Sequence, residues 1–167
     1  VWGRLYNTGQ VCCASKRFLI HQDIKEKFVN KVIEKISTLK VGYPQEEDTD
    51  IGCLINENAA IRVEEQVKKT ISEGATIVIG GRRKGAFFEP TVLDNVTKDM
   101  EVMKDMEIFG PVIPICTFND IEDAIEIANQ SSYGLCGNII TNNMKTAFHV
   151  ATELQVGGVV INGASFF

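Results

Sequence analysis

Segments with helical periodicity alternate with short β-branched runs along nearly all of this 167-residue chain, and few architectures accept that alternation. Apolar residues recur at Ile24, Phe28, Val32 and Ile36. Asp23 precedes them as an N-cap residue type, Glu26 follows three positions on, and Gly42 lies beyond the end. A second helical segment spans 56–73, with Ala60, Val63, Val67 and Ile71 on one face and Gly74 as the stop. A third covers 120–129, with Ile121, Ala124, Ile125 and Ala128 inward. The fourth covers 143–154, with Met144, Ala147, Phe148 and Ala151 inward and Gly157-Gly158 after it. Strand candidates lie at 17–21, 76–79, 112–118, 136–141 and 159–161. This order predicts an α/β fold built on an open, largely parallel sheet with helices on both faces. The connection 80–111 has no helical pattern, holds Pro90 and reaches Pro111, and reads as a long loop.

Length allows one real core and not two full domains. The net charge is −5, from 17 Lys and Arg against 22 Asp and Glu, with no basic stripe. That gives no reason to expect nucleic acid or an anionic membrane as partner. Arg82-Arg83-Lys84, set between glycines, reads as a solvated turn. No apolar run approaches ~18 residues and no signal-peptide pattern is present, so a cytoplasmic location is expected. Five cysteines at irregular spacing, without a CxxC or Cys/His pattern, argue against a disulfide framework or a metal site and for a reducing compartment. The chain opens at Val1 in mid-pattern and stops at Phe166-Phe167 directly after a strand-like run, so it is expected to be part of a longer protein.

Two stretches carry chemistry. In Asn7-Thr8-Gly9-Gln10-Val11-Cys12-Cys13, the glycine permits a tight turn. The thiol then stands just before a strand, outside the sheet edge, where ligands bind in open α/β folds. Residue type alone favours the plainer outcome, because most cysteines are small buried hydrophobes. In Glu107-Ile108-Phe109-Gly110-Pro111-Val112, a carboxylate able to accept bonds from neighbouring ribose hydroxyls precedes a ring able to pack on a flat heterocycle. A simple turn reads the same way. No phosphate loop of the GxGxxG kind follows a strand, and Gly80-Gly81-x-x-x-Gly85 precedes no helix.

Taken together, these stretches and five others resemble the aldehyde dehydrogenase superfamily over essentially the whole chain. The matching stretches run Asn7-x-Gly9-Gln10-x-Cys12-x-Ala14, then Leu39-Lys40-Val41-Gly42-x-Pro44 with Thr49 and Gly52, then Gly80-Gly81. Phe88-x-Pro90-Thr91-Val92-Leu93 and Glu107-x-Phe109-Gly110-Pro111-Val112 follow, then Asn129 with Tyr133-Gly134-Leu135, and finally Gly157-Gly158-x-Val160-x-Asn162. The resemblance is closest to the succinate-semialdehyde and lactaldehyde dehydrogenases. It implies the catalytic, thiol-bearing domain of such an enzyme over 1–167. The cofactor-binding domain, the general-base glutamate, the side-chain oxyanion donor and most of the oligomerisation arm would lie elsewhere in the chain.

The resemblance also implies roles. Cys12 matches the nucleophile, with Cys13 its neighbour, and the Cys12 backbone N–H one oxyanion donor. Glu107 matches the carboxylate that holds the nicotinamide ribose of NAD or NADP, and Phe109 the ring beside the nicotinamide. Asn162, Ala164 and Phe166 fall near the substrate tunnel. Met106 departs from the many relatives that carry a second acid before the glutamate. The implied reaction oxidises an aldehyde through a hemithioacetal and a thioester on the cysteine, in a homodimeric or homotetrameric parent. This segment by itself would turn over little. A catalytically silent α/β scaffold is the alternative. Thiol enzymes that pair the cysteine with a histidine fit less well, since neither His21 nor His149 stands near Cys12 in the reading above.

Overall fold

The computed structural model describes residues 1–164. Five helices are seen there: α1 (Trp2–Leu5), α2 (Lys25–Ser37), α3 (Glu57–Ser72), α4 (Ile121–Asn129) and α5 (Met144–Glu153). The strands are β1 (Phe18–His21), β2 (Thr76–Ile79), β3 (Arg83–Lys84), β4 (Phe87–Phe88), β5 (Thr91–Val96), β6 (Val112–Phe118), β7 (Cys136–Ile139) and β8 (Gly158–Ile161). Asn56, Asp120 and Asn143 each accept a backbone N–H three residues on, which satisfies the open first turns of α3, α4 and α5. Asp23 does not do this for α2. It lies inside a short 3-10 turn (Gln22–Ile24), and its own N–H donates to His21 Nδ1 at 3.2 Å.

Four strands form the main sheet in the order β1-β6-β5-β2. β1 and β5 both run parallel to β6, while β2 pairs antiparallel with β5 at the edge. The largely parallel sheet expected from sequence is therefore present, with one reversed edge strand. β7 and β8 form a separate parallel pair, and β3-β4 a small hairpin.

The connection 80–111 is not a loop. It contributes β5, a central strand in which Thr91, Val92 and Leu93 are fully buried. Asp94-Asn95 disguised it, because two polar residues interrupt the apolar run. They sit at a bulge where Asn95 has φ 56° and the register to β6 shifts between Leu93 and Val96.

Side-chain alternation divides the core into two layers. Val92, Ile113 and Ile115 face α2 through Val29, Val32 and Ile36. Leu93, Val112 and Cys116 face the opposite way, onto Val63 and Val67 of α3 and Ile127 of α4. The helices thus cover both faces. On α5 the expected inward face is rotated: Ala147 and Val150 are buried, whereas Met144 and Phe148 are exposed. The stripe at 147 and 150 is the one that meets the fold. Among the described residues no helix is long and apolar enough to cross a membrane.

Candidate active site

The loop before β1 and the loop before β6 emerge at the same edge, because these two strands are adjacent and parallel. That geometry brings residues 7–17 against 107–111. The edge is the amino-terminal one. Open α/β sheets usually bind ligands outside the carboxyl ends of the strands, so the expectation taken from that rule is corrected here. At the carboxyl edge stand His21, stacked edge-on against Phe118 and bonded to the Asn119 carbonyl at 2.9 Å, and the Lys25–Asp94 ion pair at 2.8 Å.

The thiol loop is built on backbone that few residues accept. Asn7, Thr8 and Gly9 all have positive φ, at 47°, 57° and 75°. At Gly9 the reason goes beyond turn geometry: a Cβ there would run into the Gly110 carbonyl. Gly110 is itself pressed against Val63 of α3, where a Cβ would stand 2.7 Å from Cγ2. The two glycines let the two loops touch backbone to backbone. Gln10 fixes the loop from the other side, accepting the Ile55 N–H at 2.8 Å and donating to the carbonyls of Asn7 and Cys53. Cys12 then follows on a turn closed by the Ala14 N–H to the Val11 carbonyl, and it is exposed. Cys13 is half-buried, and Cys116 lies in the core, where burial raises its thiol pKa.

Two cations that the sequence reading left aside join the loops. Arg4 is 1% exposed. Its Nε donates to the Val112 carbonyl at 2.7 Å, and Nη2 donates to the carbonyls of Ile108 and Gly110. Burial pulls its pKa down to about 10, partly offset by attraction to Glu107. Lys16 donates to the Val11 carbonyl at 2.7 Å and pairs with Glu107 Oε1 at 3.3 Å. Its Nζ stands 5.0 Å from the centre of the Phe109 ring, within cation–π range. Burial lowers the Lys16 pKa first, the nearby Arg4 charge lowers it further, and Glu107 opposes both. The Glu107 backbone is held separately, its carbonyl accepting from Gln66 of α3 at 2.9 Å.

Cys12, Glu107 and Phe109 are therefore gathered at one edge, all three exposed. An exposed thiol on a loop whose carbonyls bind one ammonium, with a carboxylate and a flat ring against that same ammonium, suits covalent attack on a small carbonyl compound beside a hydroxyl-bearing, flat-ringed cofactor. Ala164 reaches the same neighbourhood: a Cβ on Gly3 would meet its Cβ at 2.6 Å, and the Gly3 carbonyl accepts the Ser15 N–H. Asn162 is spent elsewhere. Its Oδ1 accepts the Thr141 N–H at 2.9 Å and its Nδ2 donates to the Thr141 carbonyl at 3.0 Å, tying the ends of β7 and β8. Phe166 lies outside the described residues. His21 is at the far end of β1, and His149 pairs with Glu122 at 2.7 Å, so neither serves the thiol.

The sequence matches the aldehyde dehydrogenase family over residues 1–167. The chain belongs to that family. It is 45% identical over 161 residues to the 3-sulfolactaldehyde dehydrogenase of Priestia megaterium, which covers 96% of this chain and 34% of that one. The lactaldehyde dehydrogenase of Methanococcus aeolicus is 40% identical over 165 residues, 99% of this chain and 35% of its own. Among solved structures, lactaldehyde dehydrogenase from Escherichia coli superposes with a TM-score of 0.94 at 37% identity, covering 99% of this chain and 35% of that one. A glyceraldehyde-3-phosphate dehydrogenase from Methanocaldococcus jannaschii, solved with NADP, gives a TM-score of 0.93 at 39% identity, covering 99% and 36%. The chain spans about a third of the length of these aldehyde dehydrogenases.

Arg4 and Lys16 had signals in the sequence. Arg4 is a lone charge in the apolar stretch Val1-Trp2-Gly3-Arg4-Leu5, and a charge at an inward position needs partners. Lys16 stands four residues after the thiol, directly before a strand. Neither signal names the partner, which lies about a hundred residues away.

Proposed function

We propose that the protein containing this chain oxidises an aldehyde to a carboxylic acid with NAD or NADP, and that Cys12 is the nucleophile. Residues 1–167 are the thiol-bearing catalytic domain in this reading. The dinucleotide domain, general base and most of the oligomerisation arm belong to the remaining two thirds of a homodimeric or homotetrameric, cytoplasmic enzyme. The observation that carries the proposal is the exposed Cys12 on a loop linked through Lys16 to Glu107 and Phe109. Relatives named for lactaldehyde, 3-sulfolactaldehyde and succinate semialdehyde suggest a short aldehyde bearing further polar groups.

The residues present fit a dinucleotide. Glu107 has its carboxylate open to accept from ribose hydroxyls, and the exposed Phe109 ring offers a flat apolar face beside it. When bound, the nicotinamide supplies the hydride acceptor. The chain's own residues do the rest. As thiolate, Cys12 Sγ adds to the carbonyl carbon, and the π electrons move to the oxygen as a new C–S bond forms. The Cys12 N–H faces the developing oxyanion and stabilises it. Loss of hydride from that carbon leaves a thioester on Sγ. Water, deprotonated by a base from outside this segment, then cleaves the C–S bond, releasing the acid and restoring the thiol. Asn162, Ala164 and Phe166 are assigned to the walls of the aldehyde channel, with Asn162 acting by shaping the β7–β8 end rather than by contact.

The test is made on the full-length protein. Cys12→Ala is expected to lower aldehyde-dependent NAD(P)H formation by at least about 10³-fold, while iodoacetamide at pH 7 labels Cys12 faster than Cys53 or Cys116. Activity that survives Cys12→Ala would sink the proposal.

A further inference from the structure

Lys16 stands where the thiol loop turns into β1, and its ammonium serves two elements at once. On its own side it donates to the Val11 carbonyl at 2.7 Å and reaches the carbonyls of Ala14 and Cys12 at 3.3 and 3.4 Å. Across the gap it meets Glu107 Oε1 at 3.3 Å, with the Phe109 ring beneath it at 5.0 Å. The Lys16 side chain is only 19% exposed, against 38% for Glu107, so water screens its contacts on the loop side poorly. Three carbonyls of one turn converge on a single ammonium. Moving that ammonium alters which of them are satisfied, and the Glu107 carboxylate, paired with it across the gap, draws it the other way.

We infer that Lys16 is a positioning residue that couples Glu107 to the Cys12 loop. Arg4, on α1, fixes the Ile108–Val112 backbone through its carbonyls, whereas Lys16 bonds both the thiol loop and the Glu107 carboxylate. Lys16 touches neither the aldehyde nor its hydride in this scheme. It sets how a change at the ribose carboxylate is felt at the thiol. The functional meaning rests on the reading of Glu107 given above; the coupling itself rests on the contacts alone.

The experiment measures iodoacetamide labelling of Cys12, resolved from Cys13 by peptide fragmentation, in the full-length protein. Four forms are compared: unchanged, Glu107→Gln, Lys16→Met and the double variant. Glu107→Gln is expected to change the Cys12 rate about threefold when Lys16 is present, the scale of a half-exposed ion pair, and by less than about 1.3-fold on the Lys16→Met background. Labelling of Cys116, buried in the core and reached only on unfolding, serves as the folding control. Lys16→Arg keeps the charge and restores the sensitivity to Glu107→Gln, and Lys16→Gln supplies the uncharged background if Lys16→Met does not fold. An equal effect of Glu107→Gln with Lys16 present and on the uncharged background, no effect with Lys16 present, or no restoration by arginine overturns the inference. Should Cys12 label no faster than Cys53, the nucleophile reading fails instead, and the coupling factor still stands or falls by its own measurement.

Discussion

The edge that carries Cys12 and the end that carries β7 and β8 are built to different standards. At the first, two loops touch through Gly9 and Gly110, a buried arginine spans them, and the strands behind them are sealed. Val92, Leu93 and Val112 are all at 0% exposure. At the second, every residue of β7 and β8 is only half-buried, and Tyr133, Leu135, Ile140 and Phe148 are exposed. The contrast teaches where precision is spent. If Cys12 is the nucleophile proposed above, it needs a backbone that does not drift, and the close glycine contacts with buried cation-to-carbonyl bonds provide one.

Substitution at matched positions tests that contrast most severely. Gly9→Ala forces a Cβ into the Gly110 carbonyl at a positive φ, and a loss of about 3 kcal/mol or more is expected in denaturant unfolding. Gly158→Ala, at the head of β8, meets nothing within 4 Å and should stay within about 0.5 kcal/mol. Equal losses at the two glycines would erase the distinction.

A smaller gap separates two polar clasps. Arg4→Met removes its side-chain bonds to the carbonyls of Val112, Ile108 and Gly110, of which Gly110 keeps the Val112 N–H, and should cost about 2–3 kcal/mol after relief of the buried charge is set against it. Asn162→Gly keeps the left-handed backbone but removes both bonds to Thr141, for about 0.5–1 kcal/mol in the same unfolding assay. A larger loss at Asn162 than at Arg4 would reverse the ranking.

The smallest effect sharpens the boundary between the regions. Asp105 accepts from the Ser132 N–H at 2.7 Å and the Ser131 hydroxyl at 3.0 Å, and these bonds, the Ser132 N–H foremost, hold its pKa below the ordinary aspartate value. The folded chain therefore binds fewer protons than the unfolded one in that window, so stability rises with pH. The contribution is complete above ~3.9 and is lost as pH falls through the lowered folded value. Asp105→Asn is expected to shift the urea midpoint downward at pH 7 and to match the unchanged protein near the bottom of that window. A gap of constant size across pH would show that the bonds, not the charge, matter.

Much of this was legible in the chain. Helical periods located α2 to α5, and Asn56, Asp120 and Asn143 are caps of a familiar kind. The thiol and carboxylate motifs named the residues that now share one edge. Other features were misread for local reasons. β5 was hidden by Asp94-Asn95 at its bulge, the α5 face was rotated because Met144 and Phe148 look like core residues, and Asp23 has the type of an N-cap without the position. Arg4 and Lys16 were passed over because their partners are far off in sequence.

What the residues determined alone is whatever a dozen neighbours can encode: element type, turn chemistry, and which side chains carry a nucleophile or a carboxylate. Only the tertiary structure decided that β1 and β6 lie side by side and parallel, so that their preceding loops meet at the amino-terminal edge. It also decided that one arginine and one lysine fasten those loops. Pairing between strands about a hundred residues apart is settled by burial and register over the whole sheet, and no local pattern carries that information.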